Sequence, residues 1–343
     1  MGQIKHQSIK NVVYLYAGAG LGLITNIAFG NYLSPTQNGL LALIVSYGTI
    51  IGSLSTLGFT FAGNTYFSEI RNEEKNHFGY LKQSMKVGLI GLAFFAGLFY
   101  LFSDFFVSPD KNPEFYEEII WVYPLAIASA LYFILEAYLR FNFNTTTSTL
   151  LKEFAQRLFI LMFFLLVVFG FLGFDYYKVL YVFAFLLIPI IQLIYLKIKG
   201  DLRWKGDYKL LKKDLRSKII KASLFGVIAV LGTNVLVFVD VIMLDRILDA
   251  SASGIYIRNF YFATVILMAS RAIIGISLTH ISEGFVKNDL QKVNEIYTRS
   301  CETQTIVGLM LFLLIWWNTD FIYWILPKEY AEGIWVIFFV GIG

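Results

Sequence analysis

In this chain of 343 residues, 57% are hydrophobic and 15% charged, against about 45–50% and about 25% in soluble domains. That excludes an ordinary soluble fold, and the apolar residues fall in blocks long enough for a helix to cross about 30 Å of hydrocarbon. The net charge of +4 asks for no nucleic-acid partner, because Lys and Arg gathered at one membrane face beside anionic lipid headgroups account for it.

Ten blocks follow one another, at about 10–32, 39–66, 84–106, 118–140, 152–172, 178–197, 219–243, 254–282, 301–319 and 332 to the end. They are continuous rather than alternating, which predicts helices and not barrel strands. The first carries Gly18, Ala19 and Gly22 on one face, suited to close helix approach, with Asn26 on that face as interhelix glue or ligand. The fourth holds Glu136 and Arg140 at i, i+4 in the favourable order for an ion pair, with cavity lining as the other reading. Between the sixth and seventh, "KGDYKLLKKDLRSKIIKASLF" is suited to an amphipathic helix in the interface, and 201–218 reads as a basic linker. The seventh places Asp240 on one face with Thr233 and Gly226. Near the middle of the eighth stands Arg271, the one Lys or Arg left deep inside a span. A charge there costs roughly 2.5–3.5 kcal/mol on insertion scales unless a partner or water meets it. A planar guanidinium grips a diphosphate through paired hydrogen bonds; an interhelix ion pair or snorkelling are the structural alternatives.

Alternate connections differ sharply in charge. With the N-terminus on one side, that side collects 22 of the 28 basic residues, ten of them from Lys197 to Lys221, and the other collects five: Lys111, Lys178, Arg246, Arg258 and Lys328. The positive-inside rule therefore predicts a cytoplasmic N-terminus and a cytoplasmic 197–221 segment. The chain also repeats itself. "LSPTQNGLLALIVSYG" from Leu33 is echoed by "LDASASGIYIRNFYFA" from Leu248, pairing Gly39 with Gly254 and Tyr47 with Phe262 at a constant offset of 215. Asp104 and Asp320, then Trp121 and Trp335, fall at nearly the same offset. An even number of spans separates the copies, so both keep one orientation, as in transporters with parallel repeats. Domains are expected at 1–200, a six-helix bundle, and 219–343, the first four helices of a second bundle, truncated here. A whole protein of about 430 residues follows from that period.

"LSPTQNGLLAL", "VDVIMLDRILDASASGIYIRNF" with Asp240 ahead of Gly254, and "HISEGFVKNDLQKVNEIYTRS" together resemble the polysaccharide-transporter branch of the MATE-like exporter superfamily, the oligosaccharide flippases. The resemblance implies an all-α polytopic membrane protein with two six-helix bundles around a central cavity. It further implies translocation of undecaprenyl-diphosphate-linked oligosaccharide across the bacterial inner membrane for O-antigen, capsule or exopolysaccharide assembly, alongside a polysaccharide polymerase and other assembly proteins. Family members often carry a proline at the cytoplasmic end of the eighth span, where this chain has "SLTHISEG", so the bend of that helix is left open.

On this reading Arg271, Arg140, Arg258 and Asn26 are the substrate-binding candidates, and Asp240, Glu136 and Glu69 the candidates for ion coupling. A multidrug antiporter would favour an acidic, aromatic cavity for cations; a non-transporting membrane scaffold is the third reading. Catalysis is disfavoured: the connections opposite the basic side are short, and no nucleophile with a base, paired catalytic carboxylates or phosphate-cradling glycine loop is apparent. The single Cys301 and the scattered His6, His77 and His280 suggest no metal site, and no cofactor is implied. The topology has a direct test. With Cys301 replaced by Ser, a cysteine at Asp110 or Lys328 should react with an impermeant thiol reagent on intact cells, and one at Lys212 only after permeabilisation; labelling of Lys212 in intact cells would reverse the assignment.

Overall fold

The computed structural model describes residues 2–107, 109, 112–286 and 289–342; the side chains of 2–9 and of several positions from 268 to 286, Arg271 among them, lie outside the described residues. The chain is all-helical, and no strand occurs among the described residues. In chain order the principal helices are α1 (Gly2–Tyr32), α2 (Pro35–Ser55), α3 (Phe59–Ile70), α4 (Tyr80–Leu101), α5 (Val122–Phe141), α6 (Gln156–Val168), α7 (Phe174–Ile198), α8 (Lys213–Val230), α9 (Leu236–Ile247), α10 (Ala250–Val286), α11 (Leu290–Trp317) and α12 (Ile334–Ile342). Among the described residues, seven helical segments are long and apolar enough to cross a membrane. The eighth block, whose bend the sequence leaves open, lies within the single helix α10.

The two copies of the repeated stretch start their helices in the same way. Ser34 caps α2 in a reciprocal box: Gln37 N–H donates to Ser34 Oγ at 3.2 Å and Ser34 N–H to Gln37 Oε1 at 3.1 Å, with Pro35 at the first helical position. At the matched position, Asp249 Oδ1 accepts from Ala252 N–H at 2.8 Å at the start of α10. These helices then pack directly on each other. A Cβ on Gly39 would sit 1.7 Å from the Ala250 carbonyl oxygen, and one on Gly254 1.9 Å from that of Pro35. The matched glycines are therefore where the two backbones touch, and any side chain at either would force them apart.

Two short segments close the same end of the molecule. Asn112 caps the turn of helix Pro113–Glu118 and also hydrogen-bonds Asp245 of α9. The segment drops Phe115, fully buried, onto Tyr47 of α2, rings stacked with centroids 5.7 Å apart. Tyr330, equally buried, lies 215 residues after Phe115 and clusters with Phe262, the counterpart of Tyr47. Its hydroxyl accepts from Asn38 Nδ2 at 2.7 Å. Each bond thus ties the early part of the chain to the late part at the turn-bearing end.

At the opposite, basic end the second apolar block is broken. Leu57 (φ 48) and Gly58 (φ 67) take left-handed conformations between α2 and α3, and Gly58 lies against α8, where its Cβ would meet the Ser223 oxygen at 2.1 Å. The expected interfacial helix in the linker is shorter than the sequence suggests. Residues 199–212 are irregular apart from one turn at Tyr208–Leu210, and helix begins only at Lys213. The physical reason is burial: Leu211 turns inward to join Leu215 and Ile219 in the core with Tyr80 and Leu81, so the linker folds against the bundle. Two spans also carry π-helical turns, at Leu150–Ala155 and Leu231–Val235.

The glycine contact makes a matched pair of outcomes. Gly39→Ala should destabilise the protein by about 1–3 kcal/mol, as overpacking does, visible as a lower melting temperature in detergent. Gly20→Ala, on α1 with no neighbour within 4 Å of the added carbon, should leave it unchanged; equal melting for both variants would refute the close contact.

Candidate functional site

Two polar clusters are held within the helical body. The first is a cavity of about 130 Å³ walled by Thr60 and Asn64 of α3, Glu136 and Arg140 of α5, and Asn234 in the second π-helical turn. Glu136 and Arg140 form the i, i+4 ion pair their spacing predicts, and both also face the cavity. The local pair is thus formed, and it also borders this small pocket. Because Glu136 already neutralises Arg140, this pair presents little free charge to a ligand.

The second cluster centres on Arg258. The charge count places it among the turn-side connections, but it lies about two turns inside α10, because the helix starts at the Asp249 cap and runs straight past it. Its guanidinium carbon stands 5.0 Å from the centroid of Phe29 on α1, a cation–π contact that offsets part of the burial cost. Tyr177 and Tyr181 of α7, Tyr261 and Tyr330 are its electrostatic neighbours. Among the described residues no carboxylate lies within 4 Å of it. Its Nε has no protein partner. Asn26, 2% exposed, donates through Nδ2 to the Arg258 carbonyl oxygen at 3.2 Å, while its own Oδ1 is unpartnered. A buried cation with open donors, beside an open amide acceptor and tyrosines, is chemically fitted to an anion carrying hydroxyl groups.

Just along α10, Tyr261 meets Arg157 of α6. Arg157 donates to the Gly18 carbonyl at 2.8 Å, pairs with Glu153 at 3.0 Å and approaches the Tyr261 hydroxyl at 3.4 Å. The small face of α1 makes this possible: a Cβ on Gly22 would lie 1.8 Å from the Tyr261 hydroxyl and one on Gly18 1.9 Å from the Glu153 oxygen. The close approach read from those glycines is what the structure shows. Lys152, 4.7 Å from the Tyr132 ring centroid, shares the first π-helical turn with Glu153. Lys152 and Arg157 are among the 22 basic residues assigned to the N-terminal side; the i, i+4 spacing of Glu153 and Arg157 at the head of an apolar block is the signal that marks Arg157 as a structural charge.

The remaining candidates are dispersed. Asp240 does not share a face with Gly226: the π-helical turn at Leu231–Val235 intervenes and shifts the phase of the helix. Gly226 packs on Gly58, whereas Asp240 is exposed and accepts from the Tyr256 hydroxyl at 2.8 Å. Glu69 is exposed near the end of α3. Arg271 lies on α10, and its side chain falls outside the described residues. Asp245, 3% exposed and bonded to Asn112, was missed, since a carboxylate near a span end carries no mark of burial in sequence. Among the described residues no group of three or more His, Cys, Asp or Glu is placed to hold a metal.

The backbone resembles a multidrug resistance MATE family transporter of the MOP superfamily in an inward-facing conformation, with a TM-score of 0.65 and 12% identity, covering 96% of this chain and 79% of that one. It also resembles a MATE protein in the straight conformation, with a TM-score of 0.53 and 12% identity, covering 96% and 77%. At such identity the likeness establishes the fold, a MATE-like one. No curated protein sequence matches the chain significantly. Residues 7–285 match the family model described as polysaccharide biosynthesis protein, and this multi-pass, helical membrane chain accordingly belongs to the polysaccharide biosynthesis protein family.

Proposed function

We propose that the protein is a flippase that carries a lipid-linked oligosaccharide, joined through a diphosphate to a polyprenyl lipid, across the bacterial inner membrane for O-antigen, capsule or exopolysaccharide assembly. Family and fold support a membrane flippase or transporter role. The observation that carries the finer reading is Arg258, a half-buried guanidinium with no carboxylate within 4 Å among the described residues, set beside Asn26 and tyrosines that suit a phosphate and a sugar respectively. A cation-exporting antiporter is less well served here, because the cavity carboxylate Glu136 is already paired with Arg140. Residues 1–200 and 219–343 would be the two bundles, joined by the 201–218 linker, with Arg271 a further contact to the diphosphate deeper along α10.

Transport then has a simple physical logic. The bonds Asn38–Tyr330 and Asn112–Asp245 tie early and late segments together at the turn-bearing end, and on this reading a lipid-linked substrate is met from the basic side. Its anionic linkage replaces water around Arg258, and release requires the two tying bonds to part.

In vesicles carrying a fluorescent lipid-diphosphate oligosaccharide, Arg258→Ala should slow translocation roughly tenfold to hundredfold, the value of one or two charge-assisted hydrogen bonds. Arg258→Lys should be intermediate because the planar fork is lost while the charge stays. Arg271→Ala should also fall, with normal membrane insertion. Wild-type rates in Arg258→Ala, or export of a cationic dye in place of the lipid substrate, would overturn the proposal.

A further inference from the structure

A third polar feature lies outside the helix interiors, where α4 starts against the linker. The Gly79 and Gly206 backbones cross there: a Cβ on Gly79 would be 2.2 Å from the Gly206 oxygen, and one on Gly206 2.0 Å from the Gly79 nitrogen. This contact fixes the linker beside the first turns of α4 and opens a pocket of about 260 Å³ between them. Lys82 and Lys86, one turn apart on α4, face Lys209 of the linker across it. None of the three has a carboxylate within 4 Å among the described residues. The one acid in the wall, Asp207, is engaged as a cap, accepting the Lys209 backbone N–H at 2.9 Å. Tyr208 also borders the pocket, while its ring packs inward beside Phe59, 6.2 Å between centroids, and so anchors the linker there.

The location narrows the ligand. Immediately beyond Lys86, α4 becomes the apolar run "VGLIGLAFFAGLFYL", so the pocket stands at the level where hydrocarbon gives way to headgroups. Three ammonium groups without a carboxylate partner among the described residues, set around a concavity at that depth, suit a phosphate on a lipid, whereas dispersed basic residues on a membrane protein only set orientation. The apolar surface of α4 offers the acyl chains a place to lie: Leu89, Ile90 and Phe94 are exposed along it. We infer that Lys82, Lys86 and Lys209 form a site for the phosphodiester headgroup of an anionic lipid, which pins the linker to the start of α4. This site is separate from the Arg258 cluster and does not depend on what that cluster carries.

The test uses the purified chain in neutral detergent, supplied with phosphatidylglycerol or phosphatidylcholine and analysed by native mass spectrometry after a high-salt wash. Wild type should retain one phosphatidylglycerol, and Lys82→Gln/Lys86→Gln/Lys209→Gln should lower its occupancy at least ~10-fold. A control with the same loss of charge on the same side, Lys212→Gln/Lys213→Gln/Lys221→Gln, should keep it. Equal loss in the control would reduce the effect to general electrostatics and overturn the site, as would equal retention of phosphatidylcholine. Displacement of the lipid by millimolar glycerol phosphate would reassign the pocket to a soluble anion and overturn the lipid assignment. Lys86→Glu alone, a single exposed substitution, should reproduce the loss where the triple variant fails to fold.

Discussion

The contact on which the structure depends is the meeting of two backbones, α2 and α10, at Gly39 and Gly254. In a membrane, apolar side chains gain little by leaving lipid for each other, so helices adhere where small residues let main chains approach closely. Here those residues fall at matched points of a sequence repeat, one turn after matched helix caps at Ser34 and Asp249. The arrangement is thereby anchored by parts of the chain more than two hundred residues apart. Everything else at that end follows the anchor: Phe115 on Tyr47, Tyr330 with Phe262, and the two bonds that cross between early and late segments.

The same geometry explains why a guanidinium survives burial in α10. Arg258 sits one turn beyond Gly254, where the tight approach of α2 and the small face of α1 bring Phe29 and Asn26 to it. An aromatic face and a ring of phenols soften the loss of water without neutralising the charge, as a carboxylate would. Arg157 has the opposite treatment: it is tied to Glu153, the Gly18 carbonyl and Tyr261, so its donors are committed to structure. Of these two neighbouring, partly buried arginines, Arg157 spends its donors on protein partners, whereas Arg258 Nε has none among the described residues.

Much of this was legible in the sequence. The apolar blocks and the glycine face of α1 are carried by spacing and composition, and both have a counterpart in the helices and their close contacts. The Glu136–Arg140 pair was readable because i, i+4 geometry is local. What was not legible depends on distant contacts. Nothing near Asn112 announces Asp245, and no pattern around Arg258 places it on Phe29. The linker's failure to form a long surface helix rests on Leu211 joining a core assembled from other segments. Periodicity failed outright at Asp240, since a wheel drawn through the seventh span assumes an unbroken α-helix.

That interruption has a wider meaning. A π-helical turn at Leu231–Val235 stores one surplus residue inside a span. Because each residue of an α-helix advances the direction of its side chains by about 100°, the segment acts as a phase shifter: everything from Leu236 to Ile247 is turned relative to what precedes it. Losing a single residue there would leave the helix intact and its hydropathy unchanged. Yet it would swing Asp245 away from Asn112 and carry Asp240 off Tyr256, so the bonding of the turn-bearing end is set by an odd residue lodged a dozen positions away.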